Sequence, residues 1–169
     1  TRSGLTTDPT LLAALEAHRS IRRYKPEPIP PEHVQRMIRA AQRASSGGTA
    51  QFYSFVRVTD PALRQRISEL TSQPVVLSAA EYFIACLDLH RMRLLLDCRE
   101  AELGVPPVIS VVYGTMDAVL AASNLATAAE AMGYGICFVG AVQRVLDTLI
   151  EELKLPERVI PVVSLCVGV

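Results

Sequence analysis

A short basic segment followed by a run of prolines is the feature that most constrains the fold of this chain. Residues 18–25 read His-Arg-Ser-Ile-Arg-Arg-Tyr-Lys, which places four cations, a histidine and a hydroxyl in eight residues. Prolines follow at positions 26, 28, 30 and 31. Because proline lacks a backbone donor and restricts the residue before it, this segment cannot continue into a regular helix. We therefore expect extended or turning backbone here.

An extended backbone would sort the side chains of the basic segment onto two faces. With a period of two, His18, Ser20 and Arg22 share one face, and Ile21 points to the other. A guanidinium beside a hydroxyl and an imidazole suits a phosphate or another planar anion. The alternative is a solvated basic turn, since charge runs usually face water. The residues alone leave both interpretations open.

Composition limits the classes of protein to which the chain can belong. A chain of 169 residues can bury one core, so we expect a single domain over residues 1–169. Half of its residues are hydrophobic and a fifth are charged, which excludes global disorder. The 17 cations balance 17 anions, and a zero net charge argues against a nucleic-acid partner bound by phosphate neutralisation.

Local patterns argue against a membrane partner and a metal site. We find no apolar run of the roughly 18–20 residues that span a bilayer, and residues 1–8 lack the basic start and apolar core of a signal peptide. We therefore expect a cytoplasmic protein. Cys86, Cys137 and Cys166 lie in apolar, strand-like runs where cysteine behaves as a small hydrophobe. Apart from a loose pair of His90 and Cys98, no cysteine has metal-ligand spacing, which predicts no metal site.

Helix and strand signals follow one another irregularly along the chain. Helices are predicted from Asp8 to near His18, from Pro31 to Arg43, from Asp60 to Leu70, from His90 toward Gly104, from Asp117 to Met132 and from Arg144 to Leu153. Strands are predicted over residues 51–59, 82–89, 136–139 and 159–169, the second of them central and buried on both faces. Because strict β-α-β alternation is missing, the pattern favours an α+β sandwich over a doubly wound sheet.

Two further segments stand out. The loop Ser45–Thr49 has glycines and hydroxyls that let backbone donors approach a ligand, although an ordinary glycine C-cap and turn would look the same. The helix from Asp117 to Met132 is apolar on nearly all sides, so its own core or a partner subunit must enclose it. By contrast, the glycines between Gly133 and Gly140 follow a helix and have the wrong spacing, which excludes a dinucleotide-binding fingerprint.

With these motifs in place, the chain resembles the FMN-dependent nitroreductase family, and within it the oxygen-insensitive NADPH nitroreductase and flavin reductase branch. The resemblance extends from Leu12 to Val169, and it is specific because several motifs occur in the same order and at the same spacing. These motifs are His18-Arg-Ser-Ile-Arg22, Glu27-Pro-Ile29, Ala44-Ser-Ser46, Thr59-Asp60, Ala79-Ala-Glu81, Asn124 to Gly133 with Ala-Ala-Glu130, Val139-Gly140 and Leu153-Lys-Leu-Pro156.

The resemblance implies a nitroreductase-like α+β fold, with a mixed or antiparallel sheet flanked by helices, in a homodimer with FMN at the subunit interface. It implies hydride transfer from NAD(P)H to the flavin and then to a nitroaromatic, quinone or flavin acceptor, by a ping-pong mechanism. Because the cofactor carries the chemistry, no catalytic acid or nucleophile is expected from the protein.

The resemblance also implies which residues form the site. Residues matching His18, Arg19 and Ser20 hold the FMN phosphate and ribityl chain, and Arg22 lies at the pyrimidine edge of the flavin. The other implied contacts are Ser45, Ser46 and Gly47 from the partner subunit, Gln73 near the ring system, Phe138, Val139, Gly140 and Ala141 along the ring, and Thr49 and Gln51 in the acceptor pocket.

The sequence departs from this branch at three places. Members of the branch continue past the position of Val169 with a Lys-x-Arg pair that contacts the phosphate, Thr49 stands where an aromatic residue often lies, and Ala141 replaces a frequent glycine. Two alternatives to an enzyme therefore remain. The first is a truncated flavin-binding or catalytically inactive homodimeric module that keeps the fold, and the second is a purely structural domain with a basic surface turn.

Overall fold

The computed structural model describes residues 9–102 and 104–169. The helices, in chain order, are α1 (Pro9–Glu16), α2 (Pro31–Ala41), α3 (Pro61–Thr71), α4 (Val75–Ser78), α5 (His90–Asp97), α6 (Pro107–Ala131) and α7 (Leu146–Glu152). The strands are β1 (Tyr53–Arg57), β2 (Glu81–Asp88), β3 (Gly135–Val139) and β4 (Val159–Gly168). Two 3-10 turns cover Gly47–Thr49 and Gly140–Val145.

The four strands form one sheet in the order β1-β2-β4-β3, and every neighbouring pair is antiparallel. An antiparallel sheet needs no β-α-β crossover, so the prediction of an α+β fold is confirmed. The predicted central strand is also confirmed, because β2 lies between β1 and β4 and is buried along nearly its whole length. A β-bulge interrupts its pairing with β4 between Ala85 and Cys86.

The alternating side chains of the sheet face two apolar layers. On one face, Phe83 and Leu165 pack with Met37 of α2 and Leu125 of α6. The other face holds a second cluster, which includes Ile67 of α3, Tyr82, Ile84, Val142 and Leu149 of α7. The chain therefore has helices on both sides of the sheet, and α2 presents the apolar face that its periodicity predicts.

Helix α6 begins at Pro107, ten residues before the predicted start at Asp117. Proline is favoured at the first helical position, where its missing N–H has no intrahelical partner in any case. By length and composition alone this helix could cross a membrane. The prediction that the chain has no apolar run long enough to span a bilayer is therefore wrong. However, its small residues Ala118, Ala121, Ala122 and Ala129 are buried against α2 and the sheet, as in the core helix of a folded domain.

The opposite side of α6 is apolar and exposed in the single chain. We call this surface the outer face of α6, and it consists of Val112, Met116, Val119 and Leu120, with Val108 on the same helix 73% exposed. The expectation that this helix must be enclosed is thus met by the core on one side only.

Other boundaries differ from the predictions by a few residues. The predicted cap of α1, Asp8, lies outside the described residues. Asp60 caps α3 as predicted, since its carboxylate accepts the N–H of Ala62 at 2.9 Å. The predicted helix from Arg144 begins as α7 only at Leu146, because a 3-10 turn precedes it.

Candidate functional site

A groove of about 610 Å³ beside the end of β3 brings half of the predicted cofactor residues together. Predicted residues that line it are Arg22, Gln73, Phe138, Val139, Gly140 and Ala141. Gln143 and Arg144 complete the lining, and the side-chain amide of Gln143 donates to the carbonyl of Val162 at 2.8 Å. The groove therefore combines a guanidinium, an amide and a stretch of main chain.

Local structure explains how the groove is built. Cys137 and Val139 point into the core, so Phe138 between them faces out of the sheet. Gly140 then starts a 3-10 turn, and a side chain added there would meet no atom within 4 Å. Ala141 has no positive φ, so alanine fits where the branch often has glycine.

Gln73 reaches the groove because α3 ends abruptly. Ser72 takes a left-handed conformation (φ 53°) and closes the helix. The N–H of Gln73 donates to the carbonyl of Ser68 at 3.0 Å, and the hydroxyl of Ser68 donates back to the Gln73 carbonyl at 3.1 Å. The main chain of Gln73 is thus fixed on the last turn of α3.

The basic segment is extended, as predicted, and lies against the sheet. Ser20 forms a parallel bridge with Ile136, and the N–H of Ile21 donates to the Ile136 carbonyl at 2.7 Å. Lys25 donates its N–H to the carbonyl of Val169 at 2.8 Å. Ile21 packs on Gly135, where an added Cβ would lie 3.0 Å from the isoleucine side chain. Backbone pairing therefore fixes which way each side chain points.

Alternation along this segment divides its cations between two cavities. Arg22 lines the groove described above, whereas Arg19, Arg23 and Lys25 line a second cavity of about 660 Å³. Ile21 lines the second cavity too, so the prediction that Ile21 and Arg22 face opposite ways is confirmed.

His18 is held on the side of the second cavity. Its Nδ1–H donates to the carboxylate of Glu130, at 2.8 Å from Oε1 and 3.0 Å from Oε2. Glu130 stands in the last turn of α6 and lines the second cavity with Arg19. Within one chain, neither His18 nor Ser20 lines the groove that contains Arg22, so the structure does not bring together the three side chains that were predicted to share one face.

The serine-glycine loop lies toward the other end of α6. The N–H of Gly47 donates to Oδ1 of Asp117 at 2.8 Å. Asp117 and Glu130 are 13 positions apart on the same helix, which corresponds to about 20 Å at 1.5 Å per residue. A single chain therefore does not bring Ser45, Ser46 and Gly47 next to His18.

Both predicted acceptor residues have unusual backbone. Thr49 and Gln51 are exposed, and their φ angles are 59° and 51°. Non-glycine residues seldom adopt this left-handed region, and for a β-branched residue such as threonine it is an outlier. The residues predicted for substrate contact are thus also those with a strained main chain.

Burial favours the neutral form of a thiol and a phenol beside the sheet. Burial raises the pKa of the Cys166 thiol to about 12, and the nearby Cys137 adds to the shift. Burial, followed by the two nearby thiols, raises the pKa of the Tyr24 phenol well above its ordinary value, and its hydroxyl donates to the Cys166 carbonyl at 3.4 Å. Within residues 9–102 and 104–169, no three His, Cys, Asp or Glu side chains are grouped so as to hold a metal ion.

Sequence reasoning missed the roles of two carboxylates. The sequence pattern indicates Asp117 only as the start of a helix and Glu130 only as part of a family motif. The available signal was a lone acid on an apolar helix, since a carboxylate enclosed by the core needs hydrogen-bond partners. The identity of those partners depends on contacts between residues far apart in the chain.

Comparison with known proteins agrees with this architecture. The model of the nitroreductase family matches residues 15–169. The chain is 36% identical over 152 residues to the oxygen-insensitive NADPH nitroreductase of Salmonella typhimurium, covering 89% of this chain and 62% of that protein. It is 34% identical over 154 residues to the FMN reductase (NADPH) of Bacillus subtilis, again covering 89% of this chain and 62% of the relative.

A solved structure shows the same fold. B. megaterium NfrA2 superimposes with a TM-score of 0.91 at 33% identity, over 94% of this chain and 65% of that structure. The chain spans about 62% of the length of the curated relatives it matches. The family match, the identities and the shared fold confirm the resemblance, and the chain belongs to the nitroreductase family.

Proposed function

We propose that this chain is an FMN-dependent oxidoreductase that transfers hydride from NAD(P)H to a nitroaromatic, quinone or flavin acceptor. The observation that carries the proposal is the groove in which Arg22 and Gln73 face the main chain of residues 138–141. Relatives of the chain that are named FMN reductase (NADPH) and oxygen-insensitive NADPH nitroreductase support the choice of cofactor and donor.

The residues that line the groove fit a flavin. Within the described part of the chain, the side chains of Arg22 and Gln73 form no hydrogen bond or ion pair, so both remain available to a ligand. A guanidinium and a carboxamide match the carbonyl and imide groups at the edge of a planar heterocycle. The open space over Gly140 allows such a ring to approach the backbone.

In this site the protein binds, orients and supplies charge. When bound, FMN supplies the hydride-accepting and hydride-donating chemistry. Arg22 would stabilise negative charge at the pyrimidine edge, and Gln73 would orient the ring by hydrogen bonding. The backbone from Phe138 to Ala141 would lie along the ring and exclude water from one side.

The phosphate and ribityl chain would be held by the beginning of the basic segment. Because Nδ1–H of His18 donates to Glu130, the other ring nitrogen of the neutral imidazole can accept a hydrogen bond from a ribityl hydroxyl. Arg19 adds a guanidinium, and Ser20 adds a hydroxyl. In this arrangement Glu130 orients the imidazole, just as carboxylates orient histidine ligands elsewhere.

A homodimer would complete the site. The 20 Å between Asp117 and Glu130 along α6 separates the serine-glycine loop from His18 in one chain. If two α6 helices cross antiparallel near Ser123, about halfway between these two acids, the loop of one chain comes beside His18 of the other. The apolar outer face of α6 would then be covered. Ser45, Ser46 and Gly47 would act across this interface.

The remaining features of the proposal follow from the same arrangement. Thr49 and Gln51 would line the acceptor pocket, and donor and acceptor would use it in turn, which is a ping-pong mechanism. Residues 1–169 would act as one domain in the cytoplasm.

Titration with FMN tests this proposal. We expect the purified chain to take up FMN, and NADPH or NADH, added without oxygen, to bleach the flavin absorbance. Arg22→Ala should weaken FMN binding by roughly 10- to 100-fold, because a hydrogen bond to a charged group contributes about 1.5–3 kcal/mol. Arg36→Ala, which removes an exposed arginine on α2, is the matched control and should bind like the unaltered chain.

Two results would separate the alternatives. If the chain takes up FMN but no nicotinamide bleaches it, the flavin-binding module that keeps the fold becomes the better account. If FMN does not bind, or if Arg22→Ala behaves like Arg36→Ala, the proposed site is wrong.

A further inference from the structure

The loop from Gly47 to Phe52 has an unfavourable main chain. Gly48, Thr49 and Gln51 have φ angles of 55°, 59° and 51°. Glycine accepts this conformation, but threonine and glutamine do so at a cost in free energy because Cβ approaches the backbone carbonyl. Such conformations persist only when the surrounding structure holds them.

The carboxylate of Asp117 accepts hydrogen bonds from both ends of this loop. Asp117 is 2% exposed, and its Oδ1 accepts the N–H of Gly47 at 2.8 Å. Its Oδ2 accepts the N–H of Phe52 at 3.0 Å. Hydrogen bonds to an ionised carboxylate are stronger than neutral ones, and burial strengthens them further. One side chain therefore fixes the distance between the two ends of the strained segment.

Neighbouring contacts place the carboxylate there. The ring of Tyr113 lies 3.5 Å from where a Cβ of Gly47 would be, and the guanidinium of Arg91 donates to the carbonyl of Gln51. Gly114 lets α6 approach closely, since a Cβ there would lie 3.3 Å from the carbonyl oxygen of Phe52. The helix and the loop are thus built to meet at Asp117.

We propose that Asp117 is a positioning residue that holds the Gly47–Phe52 loop in its left-handed conformation, so that Thr49 and Gln51 are presented to the acceptor. The presentation of Thr49 and Gln51 to the acceptor rests on the proposed function, whereas the stabilisation of the loop by Asp117 does not. A carboxylate whose only role was to fill the core would have no energetic coupling to the φ angle of Thr49.

A double-mutant cycle measured by thermal unfolding tests, without any cofactor, whether Asp117 stabilises the conformation of the loop. Asp117→Asn keeps the size of the side chain but turns an NH₂ group toward one of the two backbone donors, so we expect the Tm to fall by about 4 °C or more. Asp60→Ala is the control, because it removes an exposed carboxylate that accepts a single backbone N–H. Both substitutions lower stability, but only Asp117→Asn should release the loop.

The second member of the cycle is Thr49→Gly. In the unaltered chain it removes the strain at a positive φ and should raise the Tm by about 2 °C. In the Asp117→Asn background the loop has already relaxed, so this gain should disappear, whereas it should persist with Asp60→Ala. Thr59→Gly introduces glycine at an exposed position without a positive φ and reports the entropic cost of glycine alone.

Hydrogen exchange and kinetics complete the test. In Asp117→Asn the amides of Gly47 and Phe52 should exchange at least about tenfold faster, while those of β2 stay unchanged. In FMN-loaded protein the KM for the acceptor and the KM for the nicotinamide should both rise several-fold, because the two substrates use the same pocket in the proposed function.

Each outcome decides a different part of the proposal. If Thr49→Gly raises the Tm equally in both backgrounds, Asp117 does not hold the loop and the inference is overturned. If the two substitutions are coupled in their effects on the Tm but Asp117→Asn leaves the KM for the acceptor unchanged, Asp117 has no role in positioning the acceptor residues. If the two substitutions are coupled but the chain takes up no FMN, the result supports the role of Asp117 in holding the loop and refutes the proposed function.

Discussion

Breaking the outer face of α6 should separate the subunits of the proposed dimer. Leu120 is 42% exposed in the single chain, and it lies near the middle of the helix, one turn before Ser123. In an antiparallel crossing of two α6 helices it would be covered by the partner. We expect Leu120→Asp to produce a folded monomer that binds FMN poorly, since the serine-glycine loop of the partner would be lost.

The size of the effect follows from symmetry. Fully burying a large aliphatic side chain contributes about 1.5–3 kcal/mol, so covering a half-exposed one contributes about 1 kcal/mol. The four residues of the outer face, counted in both subunits, then supply roughly 8 kcal/mol against an association cost of about 4–15 kcal/mol. Because a two-fold interface contains each substitution twice, Leu120→Asp removes about 2 kcal/mol of burial and buries two carboxylates. We expect a total loss of at least about 4 kcal/mol, or roughly 10³-fold in the dimer Kd.

Sedimentation velocity at micromolar concentration measures this change directly. Leu77→Asp in α4 is the matched control, because Leu77 is 45% exposed and lies on a different surface. The control should remain a dimer, and circular dichroism should show that both variants are folded. The reasoning fails if Leu120→Asp stays as dimeric as Leu77→Asp, or if the unaltered chain sediments as a monomer with FMN bound.

Two further predictions concern stability. Gly168→Ala should lower the free energy of unfolding by about 1–3 kcal/mol, because the new Cβ would lie 2.5 Å from the ring of Tyr24. Urea unfolding measures it, and Gly104→Ala, where the added carbon meets nothing within 4 Å, should cost far less. The same assay tests how the buried thiols of Cys86 and Cys166 affect stability at high pH. Burial raises the pKa of each thiol from 9.0 to about 12. The folded chain keeps protons that the unfolded chain releases, so stability is lost as pH rises above 9, by about 1.4 kcal/mol per thiol at about pH 10. Cys86→Ala with Cys166→Ala should reduce this loss, and an unchanged pH dependence would contradict the assignment.

Several elements of the fold could be predicted because their signals are local. The continuous apolar run around Tyr82 identified the buried central strand, and Asp60 before Pro61 identified a helix start. The prolines after Lys25 excluded a helix for the basic segment, and the period of two placed Ile21 and Arg22 on opposite sides. These features depend on backbone sterics and on neighbours within a few residues.

Other features could not be read from local patterns. The valines and the isoleucine in the first ten residues of α6 suit a strand as well as a helix, so their local pattern does not predict the helix that the structure shows. The apolar content of the same helix was underestimated because scattered polar residues interrupt the run. The division of the cations between two cavities also depends on which edge of the sheet the segment joins.

The amino-acid sequence by itself thus determined the fold class, the extended basic segment and, through family resemblance, the choice of cofactor to test. Only the tertiary structure decided which charges meet. His18 finds Glu130 across 112 positions, and Asp117 holds the ends of a loop 65 to 70 residues away. The physical reason is that steric and periodic preferences act between neighbours in the chain. The hydrogen-bond donors of a buried carboxylate are instead those that tertiary packing brings within about 3 Å of its oxygens.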